Sequence, residues 1–160
     1  MKRTTRYLGI IICLCVPFLA TGQDRVNDRV NTERATQLAG RVERAIKVKE
    51  PKWHLTDSHS ASSATTQIWK SGKKEIELRI YVYDSPEEAS KMLPRHGLFQ
   101  ITGSEKLEGL GDEARFISIR YFSWVGVRKG RMLAEVQGPG QHFDLIRRIC
   151  QHALDQLDEQ

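Results

Sequence analysis

The sequence predicts an α+β fold, a single domain in which an antiparallel β-sheet packs against helices as a sandwich. Apolar residues recur at steps of three and four near both ends of the chain, in residues 32–48 and again from Leu145, which is the pattern of amphipathic helices. Between these segments, apolar and polar residues alternate in short runs that glycine turns interrupt. Because strands joined by tight turns pair with their neighbours, we expect the sheet to be antiparallel.

Residues 1–22 have the features of a secretory signal peptide. An apolar run that ends at Ala20 is preceded by the basic residues Lys2, Arg3 and Arg6, and is followed by small residues that suit cleavage. The run is shorter than the roughly 20 residues that a membrane-spanning helix needs, and a proline interrupts it. We therefore expect export to the periplasm or the medium, as a soluble protein with no stable membrane anchor after cleavage.

The positive charge of the chain is concentrated in that leader. The formal net charge is +5 for the whole sequence, and it falls by three to +2 without residues 1–22, which contain no acidic residue. A nucleic-acid partner would need basic residues clustered on one face, so no nucleic-acid binding is predicted. Two basic turns remain, at residues 70–74 and 128–131, and each fits a solvated hairpin tip as well as an anionic partner.

Cleavage would also leave Cys150 as the one cysteine of the mature chain, residues 23–160. No intrachain disulfide can then form, and a chain of this length must fold around one hydrophobic core. We divide it into a polar lead-in at residues 23–31 and a single α+β domain at residues 32–160. Cys150 falls on the apolar stripe of the last helix, where burial makes a thiol unreactive.

The most ligand-like cluster is His54, Asp57 and His59, in a polar segment after the first helix. Two imidazoles and a carboxylate can bind zinc, but no third nitrogen or sulfur ligand stands nearby. We therefore favour a surface loop or β-hairpin with no bound metal and no cofactor. The alternative is a small exported metal-dependent hydrolase, or a metal-binding protein, with Glu105 or Glu113 as remote helpers.

The middle of the chain predicts a hairpin and a short helix. Residues 75–83 alternate strictly between apolar and polar, and residues 65–70 should pair with them as the other arm of the hairpin. Next, Ser85 and Glu88 have the spacing of a capping box. With a proline at the first helical position, this box predicts a short helix over residues 86–93.

A glycine-rich turn, residues 109–114, follows a short strand predicted at residues 99–102. Its glycine spacing matches a dinucleotide-binding fingerprint, but that fingerprint needs a helix after the glycines, and residues 115–120 predict a strand. We therefore predict purely structural roles for the turn residues Gly109, Gly111, Asp112 and Gly130. The remaining elements are two strands and a closing helix, at residues 122–128, 132–137 and 145–157.

Residues 85–157 resemble the exported bacterial domains of PsbP-like fold, which include LpqN-type lipoproteins and the extracellular sensor domain of PknH-type kinases. The resemblance is carried by the capped Ser85-Pro86-Glu87-Glu88-Ala89 helix, the Gly109-Leu110-Gly111-Asp112-Glu113-Ala114 turn, the Val127-Arg128-Lys129-Gly130 hairpin and the closing helix. It implies an antiparallel sheet packed against helices and an architectural role for the glycine turn, with no catalytic residue. This chain lacks the lipidation cysteine of the lipoproteins and the disulfides of the kinase sensors.

We find no catalytic constellation and expect a non-enzymatic binding or accessory module, whose partner is an envelope protein or a small apolar ligand. Tyr81 and Tyr83 share one strand face, and Trp69, Tyr121 and Trp124 lie on strands predicted to be neighbours. If these side chains are exposed together, they form an aromatic platform for the partner. If helices cover both faces of the sheet, the same residues are core.

Overall fold

The structure, a computed structural model, describes residues 22–96, 103–140 and 143–156. In these residues the order is α1 (Gly22–Lys49), β1 (His54–Ala61), β2 (Ala64–Ser71), β3 (Lys74–Val82), α2 (Pro86–Met92), β4 (Glu105–Lys106), β5 (Glu113–Ile119), β6 (Phe122–Lys129), β7 (Met132–Gly138) and α3 (Phe143–Asp155). A 3₁₀ turn, Leu93–Arg95, extends α2. The predicted α+β class is confirmed. The leader up to residue 21, the strand predicted at residues 99–102 and Leu157 lie outside the described residues.

The seven strands form one antiparallel sheet in the order β1-β2-β3-β7-β6-β5-β4. The predicted hairpins β2–β3 and β6–β7 are both present, and their pairing confirms the antiparallel prediction. The polar segment that we predicted as a loop or a hairpin is a hairpin of β1 and β2. Pairing between β3 and β7 joins the two halves of the chain at the centre of the sheet.

Helices α1 and α3 cover one face of the sheet. Their apolar stripes pack on the inward residues of β2, β3, β6 and β7 and form the main core, with Val42, Ile46, Trp69, Leu78, Ile80, Val125, Ile146, Ile149 and Cys150 among its fully buried members. Removing this apolar surface from water is the dominant favourable contribution to folding. Among the described residues, no helix is both long and apolar enough to cross a membrane.

The first helix begins ten residues earlier than predicted, because residues 22–31 continue α1 instead of forming a separate lead-in. Tertiary hydrogen bonds fix this polar part of the helix. The Asn31 amide donates to Asp84 Oδ1 at 2.6 Å, and the Ser63 hydroxyl donates to Asp28 Oδ1 at 2.6 Å. Apolar periodicity cannot detect such contacts, since no apolar residue makes them.

The opposite face of the sheet is covered over part of its area by α2 and the 3₁₀ turn. Leu93, Ile117, Trp124 and Leu133 form a smaller buried cluster there. The helix starts at the predicted capping box. Ser85 Oγ accepts from the Glu88 amide at 3.1 Å, while a Glu88 carboxylate oxygen accepts from the Asp84 amide at 3.1 Å. The two faces of the sheet therefore differ: α1 and α3 cover one of them, and the short α2 with its 3₁₀ turn covers part of the other.

Candidate functional site

A cleft of about 520 Å³ opens at the end of the sheet where β3 stops and the β6–β7 hairpin turns, with α1 as its opposite wall. We call it the cationic cleft, and its lining residues are Arg34, Gln37, Leu38, Val82, Lys129, Gly130, Arg131 and Met132. Its volume lies within the roughly 300–1,000 Å³ typical of small-molecule sites. Three of the lining side chains are cationic and none is acidic.

Strand register builds the floor of the cationic cleft. Val82 of β3 is the register partner of Met132 of β7, and Leu38 reaches the same spot from α1. These three side chains are each at most 6 % exposed. On α1, Arg34 lies one turn before Leu38, so its stem lies over the same part of the sheet. The cleft therefore combines an apolar floor with a cationic rim.

The glycine-rich turn before β5 supports the hairpin that carries Lys129 and Arg131. Gly111 has a φ of +62°, and a Cβ placed there would lie 2.5 Å from the Arg128 carbonyl oxygen, so glycine alone fits. The adjacent Asp112 carboxylate accepts from the Gly130 amide at 2.7 Å and from the Arg128 guanidinium at 3.0 Å. The turn thus fixes one wall of the cationic cleft.

Two guanidinium groups of the cationic cleft have no partner among the residues that the structure describes. Within the described residues, the side chains of Arg34 and Arg131 make no hydrogen bond and no ion pair. Arg128, by contrast, lies 3.0 Å from Asp112 and 3.9 Å from Glu113. Cations that share a concave surface without a carboxylate raise the local positive potential, which attracts anions. A guanidinium also presents a fork of donors that matches carboxylate and phosphate oxygens.

Acidic residues nearby are engaged in holding the fold together. A smaller polar pocket adjoins Val82 on the side of α2 and contains three carboxylates. Asp84 accepts from Asn27 and Asn31, Asp28 accepts from Ser63, and Glu88 completes the capping box. Because each carboxylate already accepts a hydrogen bond, this pocket is built as a structural joint between α1, the β1–β2 turn and α2.

A buried polar network lies on the other face of the sheet, where the 3₁₀ turn meets β3 and β7. The Tyr83 hydroxyl is 2.6 Å from His96 Nε2, and His96 Nδ1 is 3.1 Å from Glu135 Oε1. The Glu135 and His96 side chains are 3 % and 10 % exposed, and the ring of Tyr81 stands edge-on to the imidazole at 4.5 Å. We call these four residues the Tyr-His-Glu network.

The pKa values in this network indicate groups that stay protonated. Burial and the nearby Glu135 carboxylate raise the pKa of Tyr81 to about 12. Burial and the neighbouring Tyr81 raise the pKa of the Tyr83 phenol well above its usual range. A phenol held in its neutral form is a poor nucleophile. Because the four side chains contact one another and are largely buried, we assign the network a structural role.

The structure does not assemble the five predicted aromatic residues into one platform. Trp69 is fully buried on the helix-covered face, where it is the register partner of Ile76. Trp124 is 4 % exposed in the smaller cluster on the opposite face, with Tyr81 and Tyr83 half-buried beside it. Tyr121 is 76 % exposed in the β5–β6 turn. The five side chains therefore do not share one exposed face, because Trp69 lies on the helix-covered face and Trp124 is buried on the other.

The predicted metal cluster is only partly brought together. His59 Nδ1 lies 3.4 Å from Asp57 Oδ2 on β1, and both side chains are more than 60 % exposed. His54 begins the same strand, five residues from His59, a separation of about 16 Å in an extended chain. Within the described residues, no group of three or more His, Cys, Asp or Glu side chains is placed to hold a metal ion.

Cys150 is fully buried, and this burial raises the pKa of its thiol well above the usual range. A protonated thiol beneath a helix is inert as a nucleophile. On the same helix, burial and the nearby Lys49 ammonium lower the pKa of His152. These two side chains therefore belong to the packing between α3, α1 and the sheet.

Other site residues, among them Arg34, His96 and Glu135, were not found by sequence reasoning. Arg34 flanks the apolar stripe of the first helix, a position that indicates an exposed residue but not its partner across the cleft. Glu135 lies in β7, and nothing in the sequence of that strand predicts that its carboxylate is buried. The basic turn at residues 128–131 was the one signal in the sequence that pointed toward the cleft.

No model of a known protein family matches the chain, and no curated protein matches it significantly.

Proposed function

We propose that this chain is a non-enzymatic binding or accessory protein, exported to the periplasm or the medium, which holds its ligand in the cationic cleft. The observation that carries the proposal is the pair of guanidinium groups, on Arg34 and Arg131, that have no partner among the described residues and stand over an apolar floor. Proteins generally place side-chain donors where water or a partner accepts from them. Two such groups on one concave surface favour a binding role.

The composition of the cationic cleft favours binding over catalysis. Its side chains are two guanidinium groups, an ammonium, an amide and three apolar groups. None of these is a hydroxyl, thiol, imidazole or carboxylate, which are the usual nucleophiles and general acid–base groups. Such a set can orient and neutralise an anion, but it supplies no group to abstract a proton at neutral pH.

Export rests on the leader-like sequence of residues 1–22. It is tested by expressing the full chain in its own host, fractionating the cells and sequencing the N-terminus of the recovered protein. We expect an N-terminus close to Gln23 and recovery outside the cytoplasm. A chain that starts at Met1 and stays in the cytoplasm would contradict this part of the proposal.

Binding is tested by native mass spectrometry of untagged protein recovered from the same host. We expect an adduct on the wild-type protein that is lost from the Arg34→Gln/Arg131→Gln double variant. Arg147→Gln is the matched control, because Arg147 is exposed on α3 far along the chain from the cleft and makes no hydrogen bond or ion pair with the described residues. A bare wild-type protein, or an adduct equally present on the double variant, would remove the cleft as the binding site.

The alternative is a metal-binding protein or a small metal-dependent hydrolase on β1. One observation favours it, the 3.4 Å approach of His59 and Asp57. Metal analysis of the same untagged protein separates the two functions. Zinc near one equivalent, lost in His59→Ala, would favour the alternative, whereas less than about a tenth of an equivalent would remove it, since a functional zinc site binds tightly.

A further inference from the structure

We infer that the ligand of the cationic cleft is a small anionic amphiphile, a molecule with a phosphate or carboxylate headgroup and a short apolar chain. This inference rests on the proposed function and goes further by naming the class of ligand. It starts from the two chemically distinct parts of the cleft. The rim contributes guanidinium groups, and the floor contributes aliphatic and thioether groups.

The rim is suited to a single oxyanion headgroup. Arg34 approaches from α1 and Arg131 from the β6–β7 turn, so the two guanidinium groups belong to opposite walls of one cleft. The Gln37 amide, one turn along α1 from Arg34, adds a neutral donor. Paired guanidinium groups recognise the oxygens of phosphates and carboxylates with charge-assisted hydrogen bonds. A cationic or uncharged headgroup would leave both guanidinium groups without an acceptor.

The floor is suited to a short apolar chain. Leu38, Val82 and Met132 meet at the bottom of the cleft, and Met is an adaptable surface for apolar ligands. The aliphatic stems of the arginines extend the apolar lining up the walls. Because the floor residues are at most 6 % exposed, they offer only a small apolar contact and the arginine stems supply the rest, which suits a short chain and not a large hydrophobic body.

The position of the β6–β7 turn is set before any ligand binds. Asp112 holds the Gly130 amide at 2.7 Å, and the Arg131 carbonyl accepts from the Tyr83 amide at 2.9 Å. The backbone on both sides of Arg131 is thus fixed, while its side chain is uncommitted. A preorganised wall lowers the entropic cost of binding a small ligand.

The test measures binding of octyl phosphate to the full mature protein by isothermal titration calorimetry, below the aggregation limit of the probe. Inorganic phosphate, octyl glucoside and octyl trimethylammonium serve as comparison probes. We expect octyl phosphate to bind at least about tenfold more tightly than each of the others. A charge-assisted hydrogen bond is worth roughly a factor of ten over the non-anionic octyl probes, and burial of about two CH₂ groups is worth as much over inorganic phosphate. Equal binding of inorganic phosphate, or of either non-anionic octyl probe, would overturn the inference.

Variants and salt give two independent checks. Arg34→Gln/Arg131→Gln should weaken octyl phosphate at least about tenfold, while Arg147→Gln leaves it unchanged. An equal effect of the control would overturn the inference. If the double variant fails to fold, raising the salt concentration decides instead. Screening should weaken octyl phosphate and spare octyl glucoside, and an octyl phosphate affinity that salt does not change overturns the inference.

The inference can fail while the proposed function stands. A native adduct that lacks an anionic group, and is lost from the double variant, would keep the cationic cleft as a binding site and overturn the ligand class. A bare native protein together with no octyl phosphate binding would remove both.

Discussion

The cationic cleft and the Tyr-His-Glu network are two polar regions on opposite faces of the same sheet, and they differ in how their groups are partnered. In the network, the imidazole of His96 stands between a tyrosine hydroxyl at 2.6 Å and a carboxylate at 3.1 Å. In the cleft, the Arg34 and Arg131 guanidinium groups make no hydrogen bond and no ion pair with the described residues. The buried groups of the network are in contact with one another, although Glu135 Oε1 accepts no hydrogen bond from the described residues, whereas groups left open to solvent are available to a ligand.

The largest effect on the free energy of unfolding is expected in the glycine-rich turn that supports the wall of the cationic cleft. Gly111→Ala should reduce the free energy of unfolding by about 3 kcal/mol, because the new Cβ meets the Arg128 carbonyl oxygen at 2.5 Å in a left-handed backbone. Gly109→Ala is the matched control. It has a similar φ of +74° with no atom within 4 Å, so it should cost about 1 kcal/mol. Urea denaturation of both variants checks the difference, and equal costs would contradict the close approach.

The next effect probes the buried network. His96→Ala should reduce the free energy of unfolding by about 2 to 3 kcal/mol, since it leaves the nearly buried Glu135 carboxylate without its imidazole. The control is His59→Ala, which removes the exposed imidazole of a second histidine–carboxylate pair and should change stability by less than about 0.5 kcal/mol. Urea denaturation compares the two. A cost for His96→Ala as small as the control would show that the network does not stabilise the fold.

The network should also lose stability in alkali. The folded-state pKa of Tyr81 is raised to about 12, above the ordinary value of 10.0, so the folded protein keeps a proton that the unfolded chain loses first. Its contribution is present below pH 10 and declines as the pH rises from 10 toward 12. After solvent screening, we expect a loss below about 1 kcal/mol at pH 11. Denaturation at pH 9 and 11 should show a shallower decline in Tyr81→Phe, and equal declines would contradict the assignment.

The smallest effect on stability is expected in the cleft. The Arg34→Gln/Arg131→Gln variant should keep the wild-type free energy of unfolding within about 0.5 kcal/mol, because neither guanidinium group has a partner to lose among the described residues. Relief of repulsion between cations favours a small gain. Thermal and urea unfolding of the variant check this. A loss above about 1 kcal/mol would assign the two arginines to the fold and not to a ligand.

Local patterns in the sequence predicted the helices and strands, whereas the polar sites depend on contacts between segments that are distant in the sequence. The alternation of residues 75–83 and the Ser85–Glu88 box each encode their own strand and helix. The face that Trp69 occupies depends on its register with Ile76, which no short window contains. The pairing of β3 with β7 brings Tyr81 near Glu135, and the 3₁₀ turn places His96 against both, but contacts between such distant segments have no local signal.

The cationic cleft shows the same division. The basic turn that holds Lys129 and Arg131 was visible in the sequence, and its two interpretations, solvated tip or anion partner, could not be separated there. Their separation required the position of Arg34, which α1 brings across the sheet to the opposite wall. With Arg34 on one wall and Arg131 on the other, the basic turn becomes part of a concave site. Their placement on opposite walls depends on how α1 packs against the sheet.

The central claim is that ligands bind at the cleft and not at the network. It is tested most directly by nuclear magnetic resonance of isotopically labelled protein during titration with a lipid extract of the host envelope. We expect the Met132 methyl signal and the Nε–H signals of Arg34 and Arg131 to move, while the His96 ring and Tyr83 signals stay in place. Shifts centred on His96 and Tyr83, with the arginine signals unchanged, would contradict the account.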